Sequence, residues 1–373
     1  MKEPFNMKRR QLLRVASLCE FSIALATILL IVFPSLVSAK VTGVCSNCHT
    51  MHNSQDGSPI DAEGPNEQLL TSGCVGCHSS TTSNTIIPLG SSDVPIVYNT
   101  VDPTTSPPLA GGNFYWVAQG DDTKGHNVYG IAGTDGNLGT APGRTPGSCV
   151  NSCHTSLADP PGSGNSDRGG CRGCHVFTAH HDDSKPWYRF LKGHTSSPTL
   201  PILSSASTGT DYVVGVEDND WEQETAVEHN WYKGTTLNYT WGAGLEDHQT
   251  ITAFCSGCHG VFHGTRPEVD WGMNNVTGGP WIRHPTDIAL PQGDGSEYAA
   301  YDPVNNYSVE APVAWVDPAT QTTPVVMCLS CHRAHGSDQP DMLRWDYNTM
   351  VVGTTGAAAG TGCFVCHTTK DGI

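Results

Sequence analysis

Cys328-Leu-Ser-Cys331-His332 and Cys363-Phe-Val-Cys366-His367 each set two thiols three positions apart, with an imidazole directly after the second. These groups can add two thiols across the vinyl groups of a porphyrin and place the next imidazole under its iron, the chemistry of c-type haem attachment. Cys45/Cys48/His49, Cys74/Cys77/His78, Cys171/Cys174/His175 and Cys255/Cys258/His259 repeat the pattern. A seventh unit, Cys149-Val-Asn-Ser-Cys153-His154, carries one more residue between its cysteines, which a looser turn accommodates. The seven units use 14 of the 15 cysteines and leave only Cys19.

Cysteine pairs at this spacing also serve zinc and redox disulfides. Zinc would need two units per ion, and seven units do not pair evenly. A redox motif would occur once, beside a βαβ pattern. Seven covalent haem c groups are therefore expected, with His49, His78, His154, His175, His259, His332 and His367 as proximal ligands. Composition agrees. Hydrophobic residues are 37% of the chain, with 41 glycines and 25 prolines, below the apolar share of an ordinary globular domain. So few aliphatic side chains cannot offset the entropy of ordering the backbone. The porphyrins must supply the missing apolar surface. The expected fold is mainly irregular, with short α-helices and a few short strands around a core of stacked haems.

The start of the chain is an export signal. Lys2, Lys8, Arg9, Arg10 and Arg14 precede an apolar run from Phe21 to Phe33, and Val37-Ser38-Ala39 fits a cleavage site. The run is shorter than the ~20 residues of a membrane span, so no stable span is expected. Residues 1–39 are thus read as the leader and 40–373 as one elongated domain. Removing the leader's five basic and two acidic residues leaves 14 basic against 34 acidic, a net charge of −20. That balance excludes nucleic acid, which needs basic patches, and suits cationic partners, metal ions or mineral surfaces.

Three doublets, 45–78, 149–175 and 328–367, and a lone motif at 255–259 organise the domain. His52 and His335 each stand three residues past a proximal histidine with another motif soon after. His52 is therefore expected to cap the haem on Cys74/Cys77, and His335 the haem on Cys363/Cys366. Short strands are expected at Ile96–Tyr98, Phe114–Val117 and Asp211–Val216, a helix at Trp221–His229, and loop from Pro280 to Val326. Ten histidines lie outside the motifs, more than seven irons need, so bis-histidine coordination is expected throughout. The preferred distal ligands are His52, His126, His229, His263, His284 and His335, then His180 and His181, with His194 and His248 as spares.

The doubled motifs, with Lys124-Gly-His126-Asn, Cys258-His259-Gly-Val-Phe-His263 and Trp281-Ile-Arg-His284, resemble the multihaem c-type cytochromes of metal-reducing bacteria. The resemblance implies bis-histidine haems in stacked and T-shaped pairs, other cytochromes as redox partners, and electron transfer across or beyond the cell envelope. Some such proteins polymerise, a histidine of one subunit capping a haem of the next. The expected function is therefore electron transfer without substrate chemistry, in the periplasm, at the cell surface or outside the cell, as a carrier or as a filament. The alternative is a multihaem reductase for nitrite, hydroxylamine or sulfite. That would need one open haem, for which the irregular unit at 149–154 is the candidate.

Overall fold

The computed structural model describes residues 41–62, 64, 69–104, 109–139, 141–142, 157–161, 169–175, 180–181, 191, 212–218, 225–227, 229–236, 245–259, 273–274, 281–282, 284, 286–290, 300–353 and 360–368. The leader, Cys149, Cys153, His154, His194, His263 and the start of the expected helix at Trp221 lie outside them. Every described residue falls in one compact unit, Val41–Ile373.

The backbone is mostly irregular, with short helices and short strands. The longest described helix, Ile251–Ser256, has six residues, and no described helix is long and apolar enough to cross a membrane. Among the described residues, buried apolar side chains form three small clusters. The first two lie on opposite faces of one antiparallel sheet, ordered Ile288–Ala289, Thr322–Val326, Ala314–Asp317. Successive strand residues point to opposite faces. Val325 and Ala314 therefore pack with Ala253, Met327 and Leu329, and Val326 and Trp315 with Leu290 and Val365. Ala253 leads into Cys255, Leu329 lies inside the Cys328 unit and Val365 inside the Cys363 unit. One small sheet thus anchors three motifs.

This sheet corrects the expectation of loop from Pro280 to Val326. Pro324 interrupts the apolar run and reads as a strand breaker, yet its carbonyl accepts from Leu290 N at 2.9 Å. Phe114–Val117 is a second correction. The aromatic run forms a helical turn, Tyr115–Ala118, because Asn113 Oδ1 accepts from Tyr115 N at 3.0 Å as well as from Asn99 N at 3.1 Å. Phe114 and Val117 then share a face and pack on Val128. The strand expected at Ile96–Tyr98 is shifted to Tyr98–Asn99, parallel to Ser79–Ser80. Of the run ending at Val216, only Gly215–Val216 is strand.

Two remote loops cross at Gly112 and Gly336. His335 N donates to Gly111 O at 2.6 Å and Asn113 N to Gly336 O at 2.9 Å. A Cβ on Gly112, at φ +76°, would run into Gly336 O, and one on Gly336 would stand 2.6 Å from Asn113 O. Only glycine allows this approach, and it seats His335 against residues more than 200 positions away.

Candidate haem-binding site

All six described motifs close the same turn. The histidine N–H donates to the carbonyl of the first cysteine in each: His49 to Cys45 (2.8 Å), His78 to Cys74 (2.9 Å), His175 to Cys171 (2.9 Å), His259 to Cys255 (3.1 Å), His332 to Cys328 (3.1 Å) and His367 to Cys363 (2.9 Å). An i to i+4 turn puts residues i, i+3 and i+4 on one side. Two sulfurs and an imidazole therefore face the same way in every unit.

Five of the six turns line one continuous cavity of 2180 Å³, with His126, His180, His181, His284 and His335 on its other walls. A single small-molecule pocket occupies about 300–1,000 Å³, so this one has room for several ligands. Inside it, motif and non-motif imidazoles come in pairs. Ring centroids are 6.0 Å apart for His49–His181, 6.3 Å for His78–His180, 6.3 Å for His175–His335 and 6.2 Å for His259–His126. A fifth pair, His367–His284, stands at 6.1 Å. Two metal–nitrogen bonds of about 2.0 Å, plus about 1.1 Å from each nitrogen to its ring centre, give about 6.2 Å across a shared ion. The residues present fit iron-porphyrin, and the constancy of the gap argues against accidental contact.

The ring nitrogens are disposed for ligation. His78 Nδ1 bonds Pro95 O at 2.9 Å, His259 Nδ1 bonds Pro142 O at 2.7 Å, His332 Nδ1 bonds Asp341 O at 2.8 Å and His126 Nδ1 bonds Ala334 O at 2.6 Å. A carbonyl can only accept, so Nδ1 carries the proton and Nε2 is left with its lone pair for a metal. Burial pushes the imidazoles of His175 and His259 down to about 4 and that of His335 to about 3; nearby imidazoles add to each shift.

A pH dependence follows. Unfolded histidines titrate near 6.5, so below that value the unfolded chain binds protons that these buried rings refuse. Stability therefore falls with falling pH, from about 6.5 down to the folded values of about 3–4, and iron ligation, which also excludes the proton, acts in the same direction. In a visible absorption titration the low-spin haem spectrum should be lost through that window while the haem stays covalently attached. An unchanged spectrum at about pH 4 would contradict it.

The motifs are close neighbours. The thiols of Cys74 and Cys171 are within hydrogen-bonding reach, as are those of Cys255 and Cys328. His175 feels the imidazoles of His78 and His180, His332 feels His126, and Cys331 feels Cys363 and Cys366. The six units thus follow one another in the order His49, His78, His175, His259, His332, His367.

The pairings differ from those expected within each doublet. His335 faces His175 and not His367, and His78 faces His180 and not His52. His180 and His181, ranked behind six others, serve two adjacent motifs. Their signal was the tandem itself, since neighbouring residues with diverging side chains can reach two neighbouring irons. His229 faces no motif imidazole among the described residues. It stacks on Tyr307 at 3.6 Å and 8°, with Nδ1 on Thr225 O at 3.1 Å. His248 is buried at the end of the helix Leu245–His248. His52 is exposed in a turn at φ +56°. Opposite His332, alone of the six proximal histidines, no second imidazole stands among the described residues.

Residues 323–372 match the family model described as the doubled CXXCH motif. Its motifs make the chain similar to multihaem c-type cytochromes with paired CXXCH motifs. The chain is 25% identical to the C-type cytochrome OmcS of Geobacter sulfurreducens over 392 aligned residues, covering 86% of this chain and 83% of OmcS. Among solved structures it is similar to the outer membrane cytochrome S filament of Geobacter sulfurreducens, at TM-score 0.45 and 18% identity over 86% of this chain and 88% of that one. It is also similar to the OmcS nanowires of that organism, at TM-score 0.42 and 20% identity over the same shares.

Proposed function

We propose that this cytochrome conducts electrons outside the inner membrane along seven covalently bound haems and that copies of it join into extracellular filaments. The supporting observation is the row of imidazole pairs at 6.0–6.3 Å, each placed to clamp one iron from both sides. Bound haem would supply one-electron Fe(III)/Fe(II) chemistry. The chain's own residues would hold the haems close to one another, fix the imidazole tautomers through their Nδ1 bonds and cap the irons. With a net charge of −20 after loss of the leader, the surface suits cationic redox partners, metal ions or minerals.

Filament formation would use two histidines of the row. His332 lacks an opposing imidazole among the described residues, and His52 presents an exposed one. His52 of one copy completing the His332 haem of the next would join the rows without a break. Electron microscopy of purified protein tests this. Wild-type preparations should show filaments, and a His52→Ala variant with the same haem content should show single particles and one high-spin haem per chain. Wild-type single particles that are low-spin throughout would remove the filament and leave a carrier. Filaments that retain a high-spin, nitrite-binding haem would instead favour the reductase, with its open site at His332.

A further inference from the structure

Arg344 is the one lysine or arginine among the described residues in the buried class, at 8% exposure. Its side chain forks to three main-chain carbonyls: Nε to Leu329 O at 2.6 Å, Nη1 to Val309 O at 3.1 Å and Nη2 to Ala110 O at 3.1 Å. Its own N–H donates to Cys331 O at 2.9 Å. Leu329 and Cys331 belong to the attachment turn itself, so among the described residues this is the one motif with a buried arginine held against it. The charge is felt there, acting on both Cys331 and His332.

We propose that Arg344 sets the reduction potential of the haem on Cys328 and Cys331, its guanidinium favouring the ferrous state and making that haem the first in the chain to be reduced. Taking one electron from a reductant converts Fe(III) to Fe(II) and removes one positive charge beside a fixed one. In a medium of low dielectric that relief is large compared with the same pair in water. Arginine is suited to the task because it keeps its proton under all working conditions. Of the carboxyls nearby, Asp341 acts on His332 in the opposite sense to Arg344. Asp287, beside Cys328, is pushed well up by burial, which disfavours its negative charge. Asp341, beside His332, is exposed and screened by water.

This rests on haem occupancy at Cys328–His332, so the haem count is measured first. A wild-type count that leaves this motif bare would fail that reading before any titration. The test is a spectroelectrochemical titration of the complete haem-loaded chain with Arg344→Gln and Arg344→Lys. In R344Q the highest-potential component should fall at least tenfold in reduction equilibrium, about 59 mV for one electron, with the haem count unchanged. R344K keeps the charge but not the fork, so its highest component should stay within threefold of wild type even though its thermal stability falls. A highest component unmoved in R344Q, or moved as far in R344K as in R344Q, would overturn the proposal. Should R344Q fail to mature, R344K decides alone: a retained potential supports the charge, and a potential lost along with stability shows that Arg344 acts only as a clamp.

Discussion

Expressed without its leader, in a compartment where haem is not attached, this chain should be devoid of cooperative structure. Its circular dichroism should be that of an unfolded chain, and protease should degrade it within the dead time of a limited digest that leaves the haem-loaded form intact. The reason is the size of the cavity, 2180 Å³, against three small apolar clusters. Apolar walls around a space of this size lose their packing partners when the space is left to water. The whole stability of an ordinary domain is about 5–15 kcal/mol. Without porphyrin the walls cannot keep their positions, and the ties between imidazoles and iron that close the long loops are also lost. A protease-resistant apoprotein with a sharp thermal transition would show that the side-chain clusters suffice alone.

Replacing His335 with alanine should turn one haem per chain from low-spin to high-spin and let it bind carbon monoxide. The haem affected should be the one on Cys171/Cys174, because His335 stands 6.3 Å from His175. A His284→Ala variant should open a different haem, that on Cys363/Cys366, through the 6.1 Å pair with His367. The double variant should therefore show two high-spin haems per chain by electron paramagnetic resonance. If His335 capped the haem of its own doublet, H335A and H284A would open the same iron and the double variant would show only one. Stability should also drop, since alanine keeps the main-chain bond to Gly111 O but loses the imidazole that packs on Phe114 and faces the Cys171 motif.

The proximal half of the site was legible because it is local. A cysteine, the cysteine three on and the histidine after it meet through one turn of backbone, whatever the rest of the chain does. The irregular architecture was legible for a related reason: glycine, proline and a shortage of aliphatic residues leave little to build long elements from. The distal half was legible as a set of candidates, which includes His126, His180, His181, His284 and His335, but not as pairings. The partner of His175 comes from 160 positions away, delivered by a loop crossing that depends on Gly112 and Gly336, and no spacing rule encodes it. His229 shows the converse limit. As a histidine flanked by aromatic residues it looks like a ligand, yet a stack on Tyr307 uses the same features. The sheet around Val325 was hidden because Pro324 sits in its central strand, where the missing N–H normally forbids it.

His52 and His332 are the most informative residues for the proposed filament. The account nevertheless depends first on porphyrin being the interior of the molecule. Intact-mass spectrometry of the purified, exported chain addresses that directly. The account predicts the mass of the chain from residue 40 onward plus seven thioether-bound haems, with the irregular Cys149–Cys153 unit carrying one of them. A chain bearing no haem, or one whose cysteines are bridged to each other or hold zinc, would contradict it.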